Sequence, residues 1–465
     1  MDRLSPLDTA FLDAEDADPH AALAIGSVAV LPGPAPSHAE FVAEIVPRLR
    51  AVRRTQQRLL RMPFDLGPPA LADTGEFDAT YHLRRTALPA PGADADLCRL
   101  VARVMSQRLD RDRPLWECWV IEGLSGDRWA VLTKLHHCLA DGISGTQLLA
   151  AMFTPAPGPA PEWPAEPDPT PGSQLLTVLR DIADGPFVPL RALAAGLRVP
   201  MRLAGQLADV ASGLGRLATV LAPVTPSSLS GPLGRPRRYA VARTSLTDVR
   251  AVCAAFGVTV NDVALAAATL AFRQTLELHG ERPTARTVRA MVPVSVRTGD
   301  TMDNQLSVLL PMLPVERADP VTVLHEVHRR LAEHKRSKES EAGRAATALA
   351  AHEPFALVSA ALRMLAKLPQ RNIVTVTTNV PGPATQLTLL DKPVLELLPY
   401  VPIALRLRTG VAALSYCDQM TFGITADFDG MPEVERAARR TSSSRRQGRT
   451  SHQRSWRSGC GHTSW

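Results

Sequence analysis

One segment stands apart for its chemistry: Lys134-Leu135-His136-His137-Cys138-Leu139-Ala140-Asp141-Gly142-Ile143-Ser144-Gly145. It places two adjacent histidines just past an apolar run, with an acid and a glycine following in the pattern HHxxxDG. In extended chain, neighbouring side chains point to opposite faces, so only one histidine can meet a given cavity and the other packs or orients the loop. A neutral imidazole suits removal of a proton from a hydroxyl near pH 7. Gly142 and Gly145 permit a tight turn into the next helix. Cys138 is a poor nucleophile candidate, since in an extended stretch its side chain points away from His137.

Other chemistries leave little trace. His325-Glu326-Val327-His328 is one residue short of the HExxH zinc spacing and reads as the solvated face of a charged helix. No GxSxG elbow, GxGxxG fingerprint or GxxxxGK loop is present, which argues against serine hydrolases, dinucleotide enzymes and P-loop nucleotidases. No cluster has metal-ligand spacing, so no metal is expected. Six cysteines without a CxxC pair point to a reducing compartment.

The elements that must position the histidines follow from periodicity. Before the motif, helices are expected across Glu40–Leu60 and Asp94–Leu109, and strands at Ala79–Leu88, Trp116–Ile121 and Arg128–Leu135. A helix at Ile143–Met152 follows it. Residues 154–172 are so rich in proline that neither helix nor central strand can form, and they read as a semi-rigid linker. Leu175–Leu221 has apolar residues at helical spacing with Arg191, Arg198 and Arg202 between, giving bridging helices or a basic amphipathic surface for lipid.

Mixed structure resumes with strand Tyr239–Thr244, a helix capped by Ser245 and running to Phe256, and a helix Asn261–Leu278. Strands are expected at Val288–Val296, Leu306–Val315, Ile373–Thr378, Val401–Leu407, Ala412–Tyr416 and Met420–Thr425. Asp319-Pro320 opens a helix to His334, and residues 344–367 read as helical. The expected class is therefore α/β: two lobes of mixed sheet with flanking helices, over 1–153 and 223–438, joined by 154–222 and followed by a disordered tail at 439–465.

The chain of 465 residues is 45% hydrophobic and 21% charged, enough to bury a sizeable core. Its net charge of +6 belongs to the end of the chain: eight arginines and no acid follow Glu435, leaving 44 basic against 46 acidic residues before it. That distribution argues against nucleic acid as a partner. The N-terminus lacks the basic and apolar regions of a signal peptide, and no apolar run reaches the length of a membrane span.

Several segments share a further property: together they resemble one known family. HHxxxDG is the motif of CoA-dependent acyltransferases of the chloramphenicol-acetyltransferase fold, and the chain is most similar to the bacterial wax ester synthase/diacylglycerol acyltransferases. The similarity runs through Leu4-Ser5-Pro6-Leu7-Asp8 with Phe11-Leu12, Arg113-Pro114-Leu115-Trp116-Glu117, His136–Gly142 and Val260-Asn261-Asp262-Val263. It continues through Val292–Arg297, Asn379-Val380-Pro381-Gly382-Pro383 and Ser415-Tyr416, covering residues 1–435. Beyond that point an Arg/Ser-rich stretch stands where the family has a last amphipathic helix.

The resemblance implies an active-site tunnel between two similar lobes. It implies His137 as general base, His136 beside it, and Asp141 as a loop-holding acid paired with Arg297. Gly142, Asn261 and Asp262 would shape the site, the last two also reading as a helix cap. Pro114, Leu115 and Trp116 would line the tunnel, and Thr378 or Asn379 would face the oxyanion. The implied partners are acyl-CoA as co-substrate, with diacylglycerol or a fatty alcohol as acceptor and no separate cofactor. The implied location is cytoplasmic, peripheral to the inner membrane face or lipid droplets. Acyl transfer to another hydroxyl or amine, and lipid binding without catalysis, are the alternatives.

Overall fold

The computed structural model describes residues 2–61, 68–75, 77–139, 151–153, 163–164, 172, 224–296, 305–336 and 372–435. The first half runs β1 (Asp2–Arg3), α1 (Pro6–Ala17), β2 (Ala24–Pro32), α2 (His38–Arg50), β3 (Gln57–Leu60), β4 (Ala70–Asp73), α3 (Ala79–His82), β5 (Leu83–Ala87), α4 (Asp94–Met105), β6 (Trp116–Leu124) and β7 (Arg128–His136). The second half runs β8 (Arg237–Ser245), α5 (Leu246–Phe256), α6 (Val260–Leu278), β9 (Ala290–Val296), β10 (Gln305–Leu309), α7 (Pro320–Arg336) and β11 (Thr375–Pro381). It closes with β12 (Thr388–Leu389), β13 (Lys392–Pro393), β14 (Glu396–Tyr400), β15 (Thr409–Tyr416) and β16 (Gln419–Asp427).

Two larger sheets organise these elements, one of five strands in the order β14-β2-β7-β6-β5 and one of six in the order β10-β9-β11-β15-β16-β8. Both mix parallel and antiparallel pairs, with β5 parallel to β6 and β11 parallel to β15. Each half has its own apolar core, one around Phe41, Trp116, Trp129 and Leu132, the other around Leu265, Leu276, Val288 and Val323. The division into two lobes is not strictly sequential. β14, from the second half, pairs antiparallel with β2 from Glu396↔Val30 to Tyr400↔Gly26 and so completes the first sheet.

The two sheets meet where β14 passes the second. Tyr239 on β8 donates its hydroxyl to the Pro399 carbonyl at 2.8 Å, and Arg243 donates to Glu396 at 2.5 Å. A Cβ on Gly423 of β16 would lie 1.7 Å from the Pro399 oxygen, so the approach of the strands requires glycine there.

Most expected elements are present; the strand expected over Leu306–Val315 stops at Leu309, and three further expectations are corrected. The helix expected over Glu40–Leu60 ends at Arg50. The Thr55 hydroxyl donates to the Leu49 and Val52 carbonyls and Gln56 to that of Arg50, consuming the carbonyls that a continuing helix would need. Gln57–Leu60 then joins β4 as a strand. The strand expected over Ala79–Leu88 begins as a helical turn, because Asp78 accepts from the Thr80 and Tyr81 amides and caps it. Val401–Leu407 is not a strand. Leu405 and Arg406 have φ of 50° and 70°, and the Leu407 amide closes a turn onto Ala404, so the strand of this region lies just before, at β14.

Two local caps behave as read. Ser245 accepts from the Asp248 amide to open α5, and Asp319 accepts from the Thr322 amide to open α7. Expectations for 154–162, 165–171, 173–223, 344–367 and 439–465 lie outside the described residues, as does most of the helix expected at Ile143–Met152.

Candidate active site

β7 lies between β2 and β6, and its last residues are held from both sides. The His136 amide donates to the Leu115 carbonyl and the His137 amide to the Leu23 carbonyl, each at 2.9 Å. The chain then tightens into a single 3-10 turn, His137–Leu139. The segment is therefore extended only as far as His136. Earlier on β7, Lys134 is sealed inside, donating to the Val104 and Gln107 carbonyls at 3.0 and 2.7 Å at the end of α4. Burial pushes its ammonium down to about 8, against a partial pull from Glu117.

His136 is 1% exposed. Its Nδ1 accepts from the Cys138 amide at 3.2 Å, so the ring proton sits on Nε2, which faces Glu15 Oε2 at 3.5 Å. Glu15, also 1% exposed, accepts from the Leu23 amide at 2.9 Å and from Arg111 at 2.7 Å. Burial alone would raise its pKa. The His136 ring, the Arg111 guanidinium and the Leu23 amide, all turned toward the carboxyl, outweigh burial and bring it down to about 2.

His137 is placed differently. Its half-buried ring stacks on Phe11 of α1, with centroids 3.8 Å apart and planes at 21°. Its Nδ1 is shielded from solvent without a hydrogen-bond partner among the described residues. Burial pushes the imidazole down to about 4, against a smaller upward pull from its own backbone. The ring is neutral at pH 7. Cys138 is buried in the turn and its thiol is driven well above the usual range by burial, which removes the thiolate a nucleophile needs.

Asp141, Gly142 and Arg297 lie outside the described residues. Thr259, rather than Asn261, is the N-cap of α6, and Asp262 closes its capping box by accepting from the Thr259 amide at 2.8 Å. Asp262 also contacts His328 Nδ1 at 2.8 Å, which corrects the reading of His325–His328 as a purely solvated face.

Of Pro114-Leu115-Trp116, expected at the tunnel wall, the Leu115 and Trp116 side chains are buried in the core. The Trp116 ring stacks on His82 at 4.4 Å and its indole donates to the Thr55 carbonyl at 2.8 Å. This segment reaches the histidines through the Leu115 carbonyl. Thr378 and Asn379 stand half-buried on β11, opposite Ala412 and Ala413 of β15, and neither bonds to the histidine pair among the described residues. Sequence reasoning missed Glu15, Leu23 and Arg111. The only available signal was the nearness of Phe11 and Glu15, four residues apart, on an N-terminal helix.

Two mixed sheets, with a paired-histidine segment ending a central strand of one, make up a chloramphenicol-acetyltransferase-like fold. A starter condensation domain of rhizomide synthetase shares the fold, with a TM-score of 0.55 at 16% identity over 95% of this chain and 93% of that one. The family is narrower. Residues 4–264 match the wax ester synthase/diacylglycerol acyltransferase catalytic domain, and residues 302–445 the WS/DGAT C-terminal domain. A probable diacylglycerol O-acyltransferase of Mycobacterium tuberculosis is 44% identical over 443 residues, covering 94% of each chain. The solved wax ester synthase/diacylglycerol acyltransferase of Marinobacter aquaeolei is 25% identical, with a TM-score of 0.65 over 95% of this chain and 98% of that one. The chain belongs to the wax ester synthase/diacylglycerol acyltransferase family and is an acyltransferase.

Proposed function

We propose that this chain transfers a fatty acyl group from acyl-CoA to diacylglycerol, forming triacylglycerol, and accepts long-chain alcohols in the same site. The observation that carries the residue assignment is the contrast within the histidine pair. Both nitrogens of His136 are engaged or facing a buried carboxylate, whereas His137 is neutral and half-buried. With Nδ1 shielded, Nε2 is the nitrogen left to meet substrate.

In this reading His137 takes the acceptor hydroxyl proton as the oxygen attacks the thioester carbonyl. The tetrahedral oxyanion collapses, the C–S bond breaks, and the CoA thiolate recovers the proton from His137. An imidazolium in so apolar a place is a strong acid, which favours that return of the proton. No covalent acyl-enzyme forms and no cofactor beyond the co-substrate takes part. Thr378 or Asn379 is the proposed donor to the oxyanion. Asp141 holds the loop through Arg297, while Gly142, Asn261 and Asp262 shape it.

The acceptor partitions into lipid, which supports a peripheral position on the inner membrane face or lipid droplets. Among the described residues no single helix is long and apolar enough to cross a membrane; α5 and α6 pass such a test only as a pair bent by 101°.

The test is turnover of labelled acyl-CoA with diacylglycerol, fatty alcohols and amines. His137→Ala should lower the rate by ~10²–10⁴-fold with acyl-CoA binding retained. An active His137→Ala would refute the base assignment, and transfer to amines alone would refute the acceptor class. Flotation with anionic liposomes tests the lipid surface, and no binding at low salt refutes it.

A further inference from the structure

The reaction assigned to His137 leaves unexplained why α1, with no catalytic group of its own, reaches both histidines. Phe11 and Glu15 are four residues apart on that helix and so share one face. Phe11 lies flat on the His137 ring at 3.8 Å, and Glu15 Oε2 faces His136 Nε2 at 3.5 Å. Leu23, just beyond α1, closes the arrangement. Its amide donates to Glu15 and its carbonyl accepts from the His137 amide, both at 2.9 Å.

The helix is itself held firmly. Ser5 caps it by accepting from the Asp8 amide at 3.1 Å. Near its other end Arg108 donates to the Asp18 and Ala21 carbonyls at 2.6 and 2.9 Å, and Arg111 grips Glu15 and Asp16 at 2.7 and 2.6 Å. Phe11 also packs against a small apolar cluster of Ala14, Ala21, Leu23 and Ala404, contacts it would lose on leaving His137. The Ala404 turn comes from the second half of the chain and presses on the same helix.

We propose that α1 is the positioning helix of the catalytic motif, with Phe11 fixing the ring plane of His137 and Glu15, facing Nε2, holding the orientation of His136. This rests on His137 being the general base. A pre-formed ring orientation removes freedom that would otherwise be lost at each turnover. The Phe11 face also withholds water from the imidazole. The charged or titratable neighbour acting on His137 is His136, with Glu15 and Arg111 one contact further away; the Cys138 thiol, driven up by burial, carries no charge.

The experiment is the pH dependence of kcat/KM for acyl transfer in wild type, Phe11→Leu, Phe11→Trp, Glu15→Gln and His137→Ala, with thermal unfolding of each. The wild-type acid limb is expected near pH 4, the value to which burial holds His137. Phe11→Leu should move that limb upward, toward the ordinary histidine value of about 6.5. It should also lower kcat by roughly 2- to 12-fold, the range that a lost aromatic stack represents, with KM for acyl-CoA unchanged. Phe11→Trp, which keeps a stacking face, should restore both. Glu15→Gln should lower kcat more than it changes KM.

An unmoved acid limb and unchanged kcat in Phe11→Leu, with His137→Ala inactive, overturns the positioning role and leaves the base assignment standing. A fully active His137→Ala overturns both. If Glu15→Gln does not fold, the half-buried Phe11→Leu exchange decides the matter alone.

Discussion

Gly423 sits on β16 between Ala412 of β15 and Val241 of β8, with its backbone against Pro399 of β14. Replacing it with alanine should be among the most damaging single-methyl changes in this chain. The new Cβ would lie 1.7 Å from the Pro399 oxygen and 3.0 Å from the Tyr239 hydroxyl. The first of these is backbone and cannot rotate aside, so β14 and β16 must separate by roughly an ångström or more to relieve the overlap.

Overpacking of a closed core costs about 1–3 kcal/mol. The buried Tyr239–Pro399 hydrogen bond is stretched at the same time, and an unsatisfied buried partner adds about 1–3 kcal/mol. A loss of about 2–6 kcal/mol is therefore expected. Gly257, the C-cap of α5, provides the control. Its φ is 64° and nothing lies within 4 Å of its added Cβ, so alanine there meets only backbone strain of about 1 kcal/mol. Urea unfolding of Gly423→Ala, Gly257→Ala and wild type measures both. If Gly423→Ala unfolds at the wild-type midpoint, or no earlier than Gly257→Ala, the contact between the sheets is not as close as described.

Three further outcomes follow from single contacts. Glu15, ordinarily near 4.5, is held down to about 2, so its contribution of up to about 3 kcal/mol is complete above pH 4.5 and is lost as pH falls toward 2. The stability gap between wild type and Glu15→Gln in urea should narrow across that window, and a gap independent of pH refutes the pairing. Trp116→Phe removes the indole bond to the Thr55 carbonyl and should cost about 1–3 kcal/mol, against which unchanged thermal unfolding would count decisively. Arg243 and Glu396 should show a coupling of about 1 kcal/mol in a double-mutant cycle, weakening with salt because the arginine is one-third exposed; zero coupling refutes a role for this pair in joining the sheets.

What could be read in the sequence was local. The Ser245 and Asp319 caps, the paired histidines and strands β6, β7, β8, β15 and β16 rest on neighbours within a few residues, where side-chain type dictates backbone geometry. Glu15 was illegible because its partners, His136 and Arg111, arrive from distant segments and nothing in an acidic N-terminal stretch announces a buried carboxylate. Val401–Leu407 misled for the opposite reason. Its apolar content imitates a strand, but two residues in left-handed conformation turn the chain there, and the first of them, Leu405, packs with residues of the distant α1. β14 combines both problems: five residues whose partner strand lies in the other half of the chain.

That exchange of β14 bears on the chemistry. Without it β2 would be the edge of the first sheet, free on the side away from β7. With it, β2 is hydrogen-bonded on both sides, by β14 from Gly26 to Val30 and by β7 from Ala24 to Pro32. β2 follows directly on Leu23, the residue whose carbonyl receives the His137 amide and whose amide supplies Glu15. The position of His137 is thus referred through Leu23 and β2 to β14, and through Pro399 and Gly423 to the second sheet. Displacing β14 should therefore disturb acyl transfer as well as stability, even though among the described residues no hydrogen bond, ion pair or ring contact joins β14 to the histidines. A Gly423→Ala protein that remains folded at low temperature tests this directly: its kcat should fall while acyl-CoA affinity holds, and an unchanged kcat would show that the first sheet sets His137 unaided.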